Sequence, residues 1–129
     1  MIFKSFEKQN YLNLETFRKN GQGVKTPVWF AREGEALYVW TQRGTGKAKR
    51  VRNNGNVNIA PATVSGELLG EWVPAHATAD ESPEAVKHVK ALMSKKYGLM
   101  FYFLGFIARM RGGSAYTAIQ IQSQQPLSS

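Results

Sequence analysis

Trp40-Thr41-Gln42-Arg43-Gly44-Thr45-Gly46-Lys47-Ala48-Lys49-Arg50-Val51-Arg52-Asn53-Asn54 is the stretch around which the chain is organised. The apolar run before it (Leu37, Tyr38, Val39, Trp40) reads as a strand ending at Thr41. Gly44 and Gly46 mark a turn, and a compact basic helix follows, carrying Lys47, Lys49, Arg50 and Arg52. Thr45 stands at the N-cap position, where its hydroxyl satisfies one orphan N–H and leaves others, with the positive helix end, for an anion. Lys47 and Arg50, three apart, share a helix face. No acidic residue occurs between Ala36 and Gly66, so nothing nearby in sequence neutralises these cations. A bound phosphate and a solvated basic helix both fit this pattern.

Outward from that stretch the elements are short and mostly extended. Residues 1–10 form a leading segment, helical if Phe3 and Phe6 share a side, and residues 11–17 alternate as a strand. Lys19-Asn20-Gly21 signals a turn into a second strand over 24–31, and Glu33-Gly34 a hairpin into a third over 36–41, making an antiparallel meander. Pro27 cannot donate to a ladder, so it marks an edge, a bulge or a ligand-facing position. Asn54-Gly55 predicts a left-handed helix stop. Strands follow over 57–63 and 71–79, parted by Ser65-Gly66 and Gly70. Ser82-Pro83-Glu84 opens a helix whose apolar face is Val86, Val89, Leu92, Met93 and Tyr97, and Gly98 closes it. A short helix over 101–111, a strand over 114–122 and a frayed tail over 123–129 complete the reading. Six strands with two or three helices predict a mainly β (α+β) small barrel in one domain spanning 1–129.

Composition narrows the function. With 43% hydrophobic and 12% aromatic residues the chain is globular, and without cysteine it has no disulfide, thiolate zinc site or cysteine nucleophile. The N-terminus MIFKSFEKQN lacks the apolar core of a secretory signal, so a cytoplasmic protein is expected. The apolar run Leu-Met-Phe-Tyr-Phe-Leu-Gly-Phe-Ile-Ala at 99–108 is about half the ~20 residues of a membrane span and reads as core, dimer interface or ligand wall.

His76 and His88 lie twelve residues apart on different kinds of element, one read as half-buried and one as solvated, so no metal site is expected. Hydrolase and nucleotide-fold motifs are absent, and Gly-Thr-Gly-Lys at 44–47 is too short for a P-loop. The net charge of +8 calls for an anionic partner. Its one dense cluster follows a strand end, which suits a compact phosphate better than a nucleic-acid backbone.

Thr-Pro-Val-Trp-Phe-Ala-Arg-Glu at 26–33, Leu-Tyr-Val-Trp-Thr at 37–41 and the basic stretch through Pro61 together resemble the pyridoxamine 5′-phosphate oxidase-like superfamily of split β-barrels. Gly-Glu-Trp-Val-Pro-Ala-His-Ala-Thr-Ala at 70–79 and the segment 95–112 are similar to its deazaflavin-dependent oxidoreductase branch. The resemblance covers about residues 11–121. It implies a six-stranded antiparallel split β-barrel of the FMN-binding type, dimeric with itself, with cofactor sites at the subunit interface. Val28 and Trp29 would lie against a tricyclic ring. Thr41, Thr45, Gly46, Lys47 and Arg50 would form the phosphate site, and Lys49 and Arg52 would serve the acidic tail of a deazaflavin (coenzyme F-420). FMN is the alternative cofactor. The implied activity is hydride transfer to an apolar conjugated acceptor, with a non-catalytic flavin, deazaflavin or haem carrier as the rival. Two departures argue against pyridoxamine oxidation: Gly46 replaces the Arg of an Arg-Lys pair, and the C-terminal Arg/His motif has no counterpart. No acid or base stands out; water or the hydroxyl of Tyr38, Tyr97 or Tyr102 are the candidate proton sources.

Overall fold

The computed structural model describes residues 4–6, 8–98 and 116–124. A 3-10 turn, Lys4–Phe6, precedes β1 (Tyr11–Phe17), β2 (Gly23–Trp29), β3 (Ala31–Glu33), β4 (Ala36–Gln42), α1 (Gly46–Asn53), β5 (Asn56–Ala62), β6 (Val73–Asp80), α2 (Pro83–Tyr97) and β7 (Tyr116–Ser123). All seven strands join one antiparallel sheet in the order β2-β1-β5-β6-β7-β4-β3. The two strands at the ends of that order, β2 and β3, are consecutive in the chain, separated only by Phe30. The sheet is therefore curled, as in a split β-barrel.

That curl explains why seven strands stand where six are expected. The second strand, read over 24–31, is divided: β2 pairs with β1, whereas β3 pairs with β4. The backbone of Phe30 leaves the ladder and is held by side chains of α2. Its N–H donates to the Tyr97 hydroxyl at 3.2 Å, and its carbonyl accepts from Tyr97 at 2.5 Å and from Lys96 Nζ at 2.8 Å. A buried backbone group must find a partner, and here a helix from 66–67 residues away supplies it. The expected three-strand meander is accordingly two hairpins, with β5 as the second neighbour of β1 and β7 as that of β4. Pro27 lies on β2, at the end of the sheet order, the edge position to which a residue without an N–H is suited.

Strand alternation sorts the side chains into two layers. Leu12, Leu14, Leu37, Val39, Val57, Ile59, Ile119 and Ile121 fill the inside of the curl, plugged by Phe6 from the N-terminal turn and Val51 from α1. On the outer face Ala31 and Ala118 pack under Val89 and Met93 of α2, with Trp29, Tyr38, Trp40, Leu92 and Tyr97 around them. Val86 is only half-buried, so the face of α2 that packs most deeply is narrower than expected.

The caps follow the local sequence at three of four helix ends. Thr45 and Ser82 accept from Ala48 N–H and Ala85 N–H, and Gly98 ends α2 at φ 62°. Asn54 departs from expectation, because it is extended at φ −150° and its N–H donates to Arg50 O. Gly55 is needed for closeness instead: its carbonyl accepts from Ala77 N at 2.7 Å, and a Cβ there would stand 2.8 Å from the Ala77 carbonyl oxygen. The helix expected over 101–111, Tyr102, the apolar run at 99–108 and the tail beyond 124 lie outside the described residues. No described helix is long and apolar enough to cross a membrane.

Candidate functional site

The end of β4 and the start of α1 converge on one open groove of about 390 Å³, lined by Val28, Trp29, Trp40, Thr41, Gln42, Thr45, Lys47 and Tyr116. Five of the nine residues singled out in the sequence are in this lining: Val28, Trp29, Thr41, Thr45 and Lys47. The size is within the usual range for small-molecule and cofactor pockets. Trp40 stacks on Tyr116 with ring centroids 4.0 Å apart, and Trp29 stacks on Tyr97 at 4.6 Å. These half-buried aromatics give the groove flat apolar walls.

At its polar end the groove meets the N-terminus of α1. Thr41 and Thr45 bring their hydroxyl oxygens to 3.4 Å, and Thr45 caps the helix through Ala48 N–H. The N–H groups of Gly46 and Lys47, in the first turn, have no intrahelical acceptor. Lys47 is held below the ordinary lysine pKa, first by desolvation and then by the charge of Arg50. Arg50 is lowered in turn by desolvation and by Arg18. Its Nε donates to Thr16 at 2.6 Å, and its Nη1 lies 2.6 Å from where a Cβ of Gly46 would be. A glycine at 46 thus lets the guanidinium fold over the first helical turn. Two mutually repelling cations beside two hydroxyls and unbonded N–H groups are a site where an added anion is stabilising.

The remaining cations sit elsewhere. Arg52 forms an ion pair with Glu81, which also binds Arg43 at 2.9 Å. The cluster is therefore neutralised in part by an acid that is distant in sequence. Lys49 is exposed. Of the groove residues, Trp40, Gln42 and Tyr116 were not singled out in the sequence, nor was Thr16, which positions Arg50. The alternation of β4, which turns Trp40 away from the interior, was the signal available for Trp40; Tyr116 carried none.

His76 is exposed rather than half-buried. His88 is tied by Nε2 to Glu33 at 2.8 Å and meets the Tyr38 ring edge-on, beside a small cavity of about 200 Å³ that Tyr38, Asp80 and Gln120 also line. Neither histidine lines the groove. Among the described residues no three His, Asp or Glu groups come together as a metal site. Tyr97 is a poor proton donor, since burial above all raises its pKa far above the ordinary tyrosine value and its hydroxyl serves Phe30 and Asn10.

No family model and no curated protein matches the sequence. Solved structures do match in shape. The heme storage protein HutZ from Vibrio cholerae superposes with a TM-score of 0.70 at 18% identity, over 96% of this chain and 89% of that one. A Listeria innocua protein provisionally assigned as a pyridoxamine 5′-phosphate oxidase gives 0.64 at 16% identity, over 93% and 88%. A structure described as an F420 reductase gives 0.58 at 14% identity, over 95% and 93%. The chain has the split β-barrel fold of the pyridoxamine 5′-phosphate oxidase-like proteins.

Proposed function

We propose that the groove binds a phosphate-bearing cofactor of the flavin type, with deazaflavin (coenzyme F-420) first and FMN second, and that the protein is an oxidoreductase. The observation that carries this reading is the Lys47–Arg50 pair beside the Thr41 and Thr45 hydroxyls, at one end of an aromatic-walled groove. The residues fit the group: the α1 N-terminus, Thr41, Thr45, Gly46, Lys47 and Arg50 hold its phosphate, while Val28, Trp29 and Trp40 flank its ring. When bound, such a cofactor supplies hydride chemistry, and the protein supplies orientation, charge neutralisation and a dry wall. The acceptor is a small, apolar conjugated molecule. A second copy of the chain closes the open side of the groove.

Storage or carriage without turnover is the second reading, favoured by the likeness to a heme storage protein and by the lack of an evident acid or base among the described residues of the groove. The carried group in that case is a flavin, a deazaflavin or a haem.

Titration of F-420 and of FMN against wild type, Lys47→Ala and Lys8→Ala tests the site. Lys47→Ala weakens the cofactor by about 1–3 kcal/mol, the scale of a charge-assisted hydrogen bond, and Lys8→Ala leaves it unchanged. Equal losses would replace a localised phosphate site with diffuse electrostatics. Oxidation of the reduced cofactor by a panel of conjugated acceptors separates enzyme from carrier.

A further inference from the structure

Thr117 is fully buried, and among the described residues its hydroxyl has no hydrogen-bond partner. A buried hydroxyl left unpaired costs stability that a side chain of the same shape without the hydroxyl does not. Its place in the sheet shows what it faces. Thr117 follows the alternation of β7 that turns Ile119 and Ile121 inward, and it stands directly across the ladder from Thr41 of β4. On its other flank the pairing of β6 with β7 has already ended, with Asp80 opposite Ala118. Thr41 is therefore its one cross-strand neighbour among the described residues. Residues so paired bring their Cβ atoms to about 4.5–5.5 Å, within reach of a Thr–Thr hydrogen bond. Thr41 lines the groove, and its hydroxyl lies 3.4 Å from that of Thr45, the cap of α1. Threonine hydroxyls thus lead from the buried face of β7 to the N-terminus of α1.

We propose that Thr117 is a positioning residue for the phosphate: it donates to the Thr41 hydroxyl oxygen when a phosphate engages the groove, and so turns the Thr41 proton toward that phosphate. This role presupposes the phosphate reading of the groove. In the free protein the Thr41 and Thr45 hydroxyls are engaged with each other, and Thr45 also accepts from Ala48 N–H. A phosphate accepts from both threonines, which ends their mutual contact and leaves the Thr41 oxygen open as an acceptor. The Thr117 hydroxyl is the buried donor without a partner that fills it. Hydrogen bonds in such a chain polarise one another, so Thr41 donates more strongly to the phosphate than it does alone. A cost carried by the free protein is relieved in the complex, and the difference appears as affinity. Thr117 itself, at 0% exposure, touches no ligand.

The test is a titration with inorganic phosphate, followed by NMR, on wild type, Thr117→Val, Thr117→Ser, Thr41→Val, the Thr41→Val/Thr117→Val double variant and Lys47→Ala. Thr117→Val keeps the shape and removes the hydroxyl; it weakens phosphate by about fivefold, the scale of one hydrogen bond. Thr117→Ser keeps the hydroxyl and holds affinity to within about twofold of wild type. In the Thr41→Val background Thr117→Val causes no further loss, because the residue through which it acts is gone. The denaturant midpoint of ligand-free Thr117→Val is equal to or above that of wild type, as follows from removing an unpaired buried hydroxyl. A purely structural role predicts the opposite: a lower midpoint, and the same loss of phosphate in both backgrounds. Either of those results, or a Thr117→Ser variant as weak as Thr117→Val, would overturn the proposal. Phosphate affinity that falls with Lys47→Ala but not with Thr117→Val removes Thr117 alone, whereas affinity unchanged by Lys47→Ala removes the groove reading and this role with it.

Discussion

Phe30 is the residue at which one extended run becomes two strands, and its neighbours show how much rests on single groups. Lys96 and Tyr97 hold its backbone, and the ammonium of Lys96 is desolvated in doing so. The folded pKa of about 8 lies below the ordinary 10.5. Between those values the unfolded chain binds more protons, so this lysine makes stability rise with pH through that window, its unfavourable contribution being fully present below it. Chemical denaturation of wild type and Lys96→Arg from pH 7 to 10.5 should therefore show a steeper upward slope for wild type; parallel curves would contradict it. Glycines give a second contrast. Gly55→Ala drives a Cβ against the Ala77 carbonyl and should cost about 1–3 kcal/mol of stability, as overpacking does. Gly46→Ala meets only the mobile end of Arg50, so the fold should survive while the guanidinium is displaced and phosphate affinity falls. A denaturant midpoint and a cofactor titration on both variants distinguish the two roles.

Elements were legible in the sequence wherever their determinants are local. Thr45 and Ser82 cap their helices because a cap needs only a side chain and an N–H three residues on, and Gly98 ends α2 for an equally local reason. The split of the second strand was not legible, since Tyr97 and Lys96 come from far along the chain. Asn-Gly suggests a left-handed stop, whereas Asn54 is extended and the next residue, Gly55, accepts from Ala77 N of distant β6. Val28, Trp29, Thr41, Thr45 and Lys47, the residues proposed to hold the cofactor, meet as one groove because the end of β4, the capped start of α1 and the end of β2 converge. Arg52 shows the limit of local charge counting: its partner Glu81 lies just before α2. That pairing yields a prediction at this scale. Glu81→Gln frees Arg43 and Arg52, and should strengthen deazaflavin, whose acidic tail runs beyond its phosphate, by about 0.2–1 kcal/mol, the range of exposed pairs. FMN, which ends at the phosphate, should gain less, and added salt should shrink the difference. Equal gains for both ligands in parallel titrations would remove the tail from Arg52.

The whole molecule combines a closed apolar interior with a groove whose aromatic wall is only half covered. Trp29, Trp40 and Tyr116 are each partly exposed in a single copy, although large rings of this kind bury 150–250 Å² when covered. A second copy that covers this wall would bury the ring faces and enclose the cofactor in one step, which makes assembly and cofactor binding thermodynamically linked. The expected result in sedimentation velocity is a dimer at micromolar concentration. Cofactor should shift the monomer–dimer equilibrium further toward dimer, and dilution of the protein should weaken apparent cofactor affinity by the reciprocal of the same coupling. An anion-only ligand such as inorganic phosphate, which engages Lys47 and Arg50 without touching the aromatic wall, should bind without this dependence on protein concentration. A monomer that binds the full cofactor as tightly at nanomolar as at micromolar protein would show that one chain completes the groove, and the interface assignment would fall while the phosphate site stood.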